Sequence, residues 1–151
     1  MQPQVVTKPA FTVVGLCIHT LAKAAEIPLL WDQFVPRMDE VQHLAEPHVS
    51  YGLMDHFNQE IGELDYMAGN AVEQVIDLPA GMARWDVPAN TYAVFETTLA
   101  TIGQTFDYIF GVWLLTSGYQ QTAGPYFERY GENFSPDNPV LSIYIPVEKK
   151  A

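Results

Sequence analysis

The sequence predicts an α+β fold, two βαββ units related by pseudo-two-fold symmetry, and three observations carry that prediction. Strand-like and helix-like stretches follow the order strand, helix, strand, strand, and the order recurs roughly seventy to eighty residues later. Each helical stretch has a single apolar face, which needs a sheet to cover it. The 151 residues, 48% of them hydrophobic and 13% aromatic, suffice for one domain spanning 1–151 and leave no room for a second.

The first strand is predicted over residues 11–19, opened by Lys8-Pro9 and filled by Val13, Val14, Leu16 and Ile18. Ile27, Leu30, Trp31, Phe34, Met38, Val41 and Leu44 then recur at three- and four-residue spacing, which predicts a helix ending before Pro47. Pro28 suits its first turn, whereas Pro36, lacking a backbone donor, should kink or interrupt it. Residues 49–55 and 64–76 read as a hairpin whose polar connection contains Asn58 and Gly62. After Leu78-Pro79-Ala80-Gly81, a strand region covers 82–97, with a bend at Pro88-Ala89-Asn90. Ile102, Phe106, Ile109, Phe110 and Trp113 mark one face of a second helix, capped by Thr98 or Thr101 and stopped near Gly118. Two last strands are predicted over 125–131 and 140–147. Joined, the two halves would form antiparallel sheets with the two main helices around a central cleft, a natural ligand pocket.

Composition narrows the function. Seven Lys and Arg against eighteen Asp and Glu give a net charge of −11, which repels phosphate backbones and argues against direct nucleic-acid binding. The same field attracts cations. No apolar run is long enough to span a bilayer, and the start Met1-Gln2-Pro3-Gln4 lacks the features of a secretory signal, so a cytoplasmic location is expected. Cys17, the one cysteine, reads as a small core residue. His19, His43, His48 and His56 lack the spacing of zinc ligands, and neither metal nor cofactor is expected. The methionines Met38, Met54, Met67 and Met82 fit as core fillers, and Trp31 and Trp85 as packing residues.

Glu128 is the most informative residue. In Tyr126-Phe127-Glu128-Arg129-Tyr130, strand alternation puts it on the face of the two tyrosines and away from Phe127 and Arg129. A carboxylate on an apolar, ring-lined face is costly to bury, so either solvent reaches it or a positive group visits it. The plainer alternative is a surface glutamate paired with Arg84 or Arg129.

A family resemblance rests on Gly15 after an apolar strand, Tyr51-Gly52, Asp65-Tyr66-Met67-Ala68-Gly69, Ile76 to Met82 and Tyr92-Ala93-Val94-Phe95. It continues through Thr105-Phe106-Asp107-Tyr108-Ile109 leading to Trp113-Leu114, Ser117-Gly118-Tyr119, Phe127-Glu128-Arg129-Tyr130 and Ile143-Tyr144-Ile145-Pro146-Val147. In that order and spacing they resemble the GyrI-like small-molecule-binding family, also called the AraC-type or bacterial transcription activator effector-binding domain. The resemblance implies paired βαββ units around a ligand cleft, with a buried glutamate that meets lipophilic cations. Glu128 matches that glutamate, Trp113 and Tyr144 match pocket aromatics, and Tyr130, Tyr66 and Tyr51 match wall residues. Many members carry a second acid two positions before the last aromatic, where this chain has Ser142. The family's regulators add a helix-turn-helix domain for which this chain has no residues, so the resemblance leads to the expectation of a stand-alone binder, with a separate transcription regulator as its protein partner.

Two other functions stay open at this point. Some GyrI-like proteins are hydrolases, and Glu128 could serve as general base in ester or amide cleavage, although no complete nucleophile, base and oxyanion set is legible and no catalytic residue is assigned. A gyrase-inhibitor-like interaction protein is the third reading, weakened by acidic residues that are scattered rather than arrayed.

Overall fold

The computed structural model describes residues 2–151. Its strands are β1 (Gln4–Lys8), β2 (Phe11–Leu21), β3 (Ser50–Asn58), β4 (Glu63–Val72), β5 (Ala83–Val87), β6 (Asn90–Thr98), β7 (Tyr119–Gln121), β8 (Tyr126–Tyr130) and β9 (Val140–Lys149). All pairings are antiparallel, in the order β1-β6-β9-β8-β3-β4-β2-β5, with β7 beside the end of β9.

The duplication is visible in this order. One half runs β2, helix, β3, β4 and lies in space as β3-β4-β2; the other runs β6, helix, β8, β9 and lies as β8-β9-β6. The halves join edge to edge through β3 and β8, giving one continuous sheet instead of two. Gly52 and Glu128 face each other across that seam. The sequence bend at Pro88-Ala89-Asn90 separates β5 from β6, and each half exchanges an arm: β5 edges β2, while β1 edges β6. Strand β1 was not predicted, because Gln4–Lys8 is short and largely exposed, with no alternating apolar pattern to mark it.

Between β2 and β3, α1 (Glu26–Phe34) gives way to a 3₁₀ segment, Val35–Glu40, at the position where Pro36 removes a backbone donor. Leu30 and Phe34, four residues apart, are buried on one helix face, with Ile27 and Trp31 packed beside them. Each fully buried apolar side chain of this kind contributes about 1.5–3 kcal/mol. In the second half α2 (Ile102–Tyr108) continues through a π-helical turn, Ile109–Trp113, into α3 (Leu114–Thr116). Thr101 stands at the cap position, yet its hydroxyl accepts from the amide of Thr98 and makes no cap bond to the helix. Gly118 ends the element with φ +83°, a conformation that favours glycine.

Both helices cover one face of the sheet, above a core that includes Val14, Leu30, Phe34, Tyr66, Phe95, Trp113 and Ile143. The other face carries Val13, Tyr51, Leu53, Met67, Tyr92 and Phe127. The sheet curls strongly towards that second face. Three strand spacings separate β8 from β2, about 14 Å in a flat sheet, yet the rings of Phe127 and Phe11 lie 5.5 Å apart.

Close approach of β2 and β4 depends on Gly15, which pairs with Gly69. A Cβ there would collide with the carbonyl oxygen of Ala68 and come within 2.5 Å of the Gly69 Cα. Both are backbone atoms, so the strands themselves would have to separate. Gly15→Ala is therefore expected to destabilise the fold by about 3 kcal/mol in urea unfolding, and a loss under about 0.5 kcal/mol would contradict the packing described.

Candidate functional site

Strand β8 turns Tyr126, Glu128 and Tyr130 towards the helices, and Phe127 and Arg129 to the opposite face. The Tyr126 ring meets Phe106 of α2 and Phe110 of the π-helical turn, at 6.4 and 5.8 Å. Tyr130 meets Trp31 of α1 at 5.2 Å. Glu128, between the two tyrosines on the strand, therefore lies in the gap between the two helices.

The glutamate is 7% exposed. Its Oε1 accepts hydrogen bonds from the hydroxyls of Tyr66 (2.8 Å) and Tyr130 (2.9 Å). The indole Nε1 of Trp31 donates to the same Tyr66 oxygen at 2.8 Å, so a chain of hydrogen bonds runs from α1 through β4 to β8. The fit needs Gly52 beneath it. A Cβ at that position would collide with the Tyr66 hydroxyl and lie 2.6 Å from Glu128 Oε1.

No arginine or lysine among the described residues pairs with this carboxylate. Arg129 bonds Glu46 on the reverse face, Arg84 pairs with Asp86, Arg37 with Glu40 and Lys23 with Asp107. Loss of water consequently dominates, and burial pushes the Glu128 carboxyl up to about 7, against the opposing pull of the two tyrosine hydroxyls. The tyrosines respond in turn. Burial and the neighbouring carboxylate raise Tyr66 and Tyr130 well above the usual phenol range, so both stay protonated and act as donors.

Of the residues nominated from the sequence, Glu128, Tyr66 and Tyr130 are brought together. Trp113 lies under the same helix-covered face, with its ring against Phe95 (5.1 Å) and Tyr119 (5.7 Å). Tyr51 and Tyr144 belong to the opposite face, because strand alternation places them with Phe127, on which Tyr144 stacks at 4.7 Å. Ser142 pairs with Arg129 in register and shares that reverse face, with the sheet between it and Glu128. Trp31, read from the sequence as a packing residue, is the addition. Its polar nitrogen was the available signal, since a half-buried indole N–H requires an acceptor.

The histidines lie elsewhere. His19 bridges Asp65 and Glu63, and His56 bonds Asp65, at the exposed end of the hairpin. Among the described residues no cluster of His, Cys, Asp or Glu has the arrangement to hold a metal ion, and no helix is long and apolar enough to cross a membrane. Of two surface grooves, one is lined by residues such as Val41, Gln74 and Leu78, the other by Glu46, Glu96, Arg129 and Ser142; neither includes Glu128.

The folded chain holds the Glu128 proton more tightly than the unfolded chain does. Its contribution to stability is thus fully present below pH 4.5 and is lost as the pH rises to about 7. Glu128→Gln keeps an acceptor for the two tyrosines and removes the charge. It is expected to stabilise the protein by up to about 3 kcal/mol at pH 8 and to change little at pH 4, measured by urea unfolding at both pH values. Equal effects at the two pH values would show that the ionised form carries no burial cost.

Comparison with known proteins agrees with this geometry at the level of family and fold. The chain is 36% identical over 152 residues to the transcriptional regulator BrlR of Pseudomonas aeruginosa, covering 97% of this chain and 56% of that regulator. It thus spans little more than half the length of that relative. Among solved structures, SAV2435 bound to tetraphenylphosphonium superposes with a TM-score of 0.79 at 18% identity, covering 98% of this chain and 94% of that one. An integron cassette protein of Vibrio cholerae superposes with a TM-score of 0.73 at 16% identity, covering 98% and 97% of the respective chains. Residues 4–147 match the family of Cass2, the integron-associated effector binding protein, and the chain belongs to that small-molecule-binding family, whose fold is GyrI-like.

Proposed function

We propose that this protein captures lipophilic organic cations in the gap between its two helices, with Glu128 as the counter-charge. The observation that carries this reading is the buried Glu128 carboxylate, held by two tyrosine hydroxyls and by no cationic side chain among the described residues. A cationic guest would restore the charge balance that burial removes. At about 4 Å an ion pair contributes roughly 4 kcal/mol at an effective dielectric near 20, before desolvation is subtracted. The rings of Trp31, Tyr66 and Tyr130 would add about 0.5–2 kcal/mol for each face turned to the cation, without imposing a particular shape on it. Tetraphenylphosphonium, bound by the fold neighbour SAV2435, has the chemistry this site calls for.

Trp31 and Tyr130 are half-buried and form the outer wall over Glu128, so a ligand enters by displacing them. The hydrogen bond from Trp31 to Tyr66 then links occupancy of the site to α1. Such a link would let the module report its ligand to a regulator, whether as a separate partner or through further chain of the kind that BrlR possesses.

A second reading has one observation in its favour. A glutamate pushed to about 7 is poised for proton transfer at neutral pH, as general-base hydrolysis of a small ester or amide requires. Turnover of candidate esters, abolished by Glu128→Gln, would establish it.

The test of the binding reading uses Trp31 as sole reporter, with Trp85 and Trp113 replaced by phenylalanine. Tetraphenylphosphonium should quench its fluorescence at pH 8, while the neutral isostere tetraphenylmethane derivatised for solubility should bind far more weakly. Affinity for the cation should fall about tenfold for each pH unit below 7, and Glu128→Gln should lose both the discrimination and the pH dependence. Equal binding of the charged and neutral probes would contradict the reading.

A further inference from the structure

The reverse face of the sheet carries a second aromatic cluster that the Glu128 site does not use. Phe11 lies against Tyr51 (5.2 Å) and Phe127 (5.5 Å), and Tyr92 and Tyr144 extend the ring contacts along β6 and β9. Into this cluster reaches a side chain from the opposite edge of the sheet. The Lys8 Nζ lies 4.5 Å from the centroid of Phe11 and 5.8 Å from that of Tyr51, both within the range of cation–π attraction. Beside it stands a carboxylate: Glu46 accepts from the Tyr51 hydroxyl at 2.5 Å and from Arg129 Nη2 at 3.0 Å.

Lys8 has no ion pair within 4 Å among the described residues, and Glu46 is shared with Arg129, so the ammonium rests on the aromatic rings with the Glu46 charge acting on it from further off. Burial lowers the pKa of Lys8; the Glu46 charge raises it, and the Arg129 guanidinium that shares Glu46 adds to the lowering. Ring faces with a carboxylate close by are the elements that recognise an alkylammonium ion. The side chain occupying them is weakly tethered. Strand β1 pairs only with β6, is mostly exposed, and is joined to β2 by Pro9 and Ala10 alone.

We propose that Phe11, Tyr51 and Glu46 form a second cation site, distinct from that of Glu128, which the chain fills with its own Lys8, and that small alkylammonium ions compete with Lys8 for it. The tether gives Lys8 an effective concentration of about millimolar or more, so a free competitor must exceed that level or meet a chain without the lysine. Lys8 thereby clamps β1 to the sheet, and a competing cation releases that strand.

The experiment is performed in the Glu128→Gln background, so that its outcome is independent of the proposed ligand site. Choline and its neutral isostere 3,3-dimethylbutan-1-ol are titrated by calorimetry into Glu128→Gln and into Glu128→Gln carrying Lys8→Met, which keeps the apolar stem and removes the charge. Choline should bind the Lys8→Met chain at least about tenfold more tightly than the chain with Lys8, and the isostere should show no such gain. In the chain with Lys8 intact, hundred-millimolar choline should speed amide exchange over residues 4–8 and leave β4 unaffected. Equal choline affinity with and without Lys8, equal gains for both probes, or unchanged exchange in β1 would each overturn the proposal.

Discussion

The constraint on which the rest depends is a carboxylate removed from water and held by hydroxyl groups alone. Glu128 receives two tyrosine hydrogen bonds, and the chain's nearby guanidinium group, Arg129, is committed to Glu46 on the opposite face of the sheet. Such a group costs more to ionise than an exposed glutamate, and the structure meets that cost only in part. The consequence is a site that is better balanced with a positive guest than without one. An ion pair with the chain's own arginine would have removed that property, and alternation along β8 is what keeps Arg129 on the far side.

The duplicated architecture explains why the site stands where it does. Two βαββ halves meet at the β3–β8 seam, and β8 is touched from both helical elements, by Trp31 at Tyr130 and by Phe110 at Tyr126. Symmetry would give the two seam strands the same residue. This chain instead places glycine on one and glutamate on the other, and the absence of a side chain at Gly52 makes room for the Glu128 carboxylate and the Tyr66 hydroxyl. Pseudo-symmetry builds the gap, and its local breaking supplies the chemistry.

Much of this was legible in the sequence, for reasons that differ by element. The helical periods from Ile27 and Ile102 and the alternation around Glu128 are short-range patterns that report directly on which side is buried. The repeat spacing predicted two halves, though not that they join edge to edge into one sheet. What local pattern does not carry is which strand joins which: β1 and β5 cross to opposite edges, and β1 is too short and polar to announce itself. The same limit applied to the site. Tyr130 follows from alternation along β8, whereas Tyr66, Tyr51 and Tyr144 were nominated by family resemblance; Tyr66 reaches Glu128, and Tyr51 and Tyr144 belong to the face with Phe127. Trp31 was legible as a residue on an apolar helix face, but its bond to Tyr66 depends on how α1 crosses the sheet, a three-dimensional fact.

The central claim concerns the state of one carboxyl group, and that state is directly observable. With glutamate side chains labelled with carbon-13, the Glu128 carboxyl resonance, assigned by its loss in Glu128→Gln, is followed against pH with and without tetraphenylphosphonium. The account expects a midpoint near 7 for the protein alone, displaced downwards when the cation is bound. A midpoint in the ordinary glutamate range, or one indifferent to the cation, would contradict it.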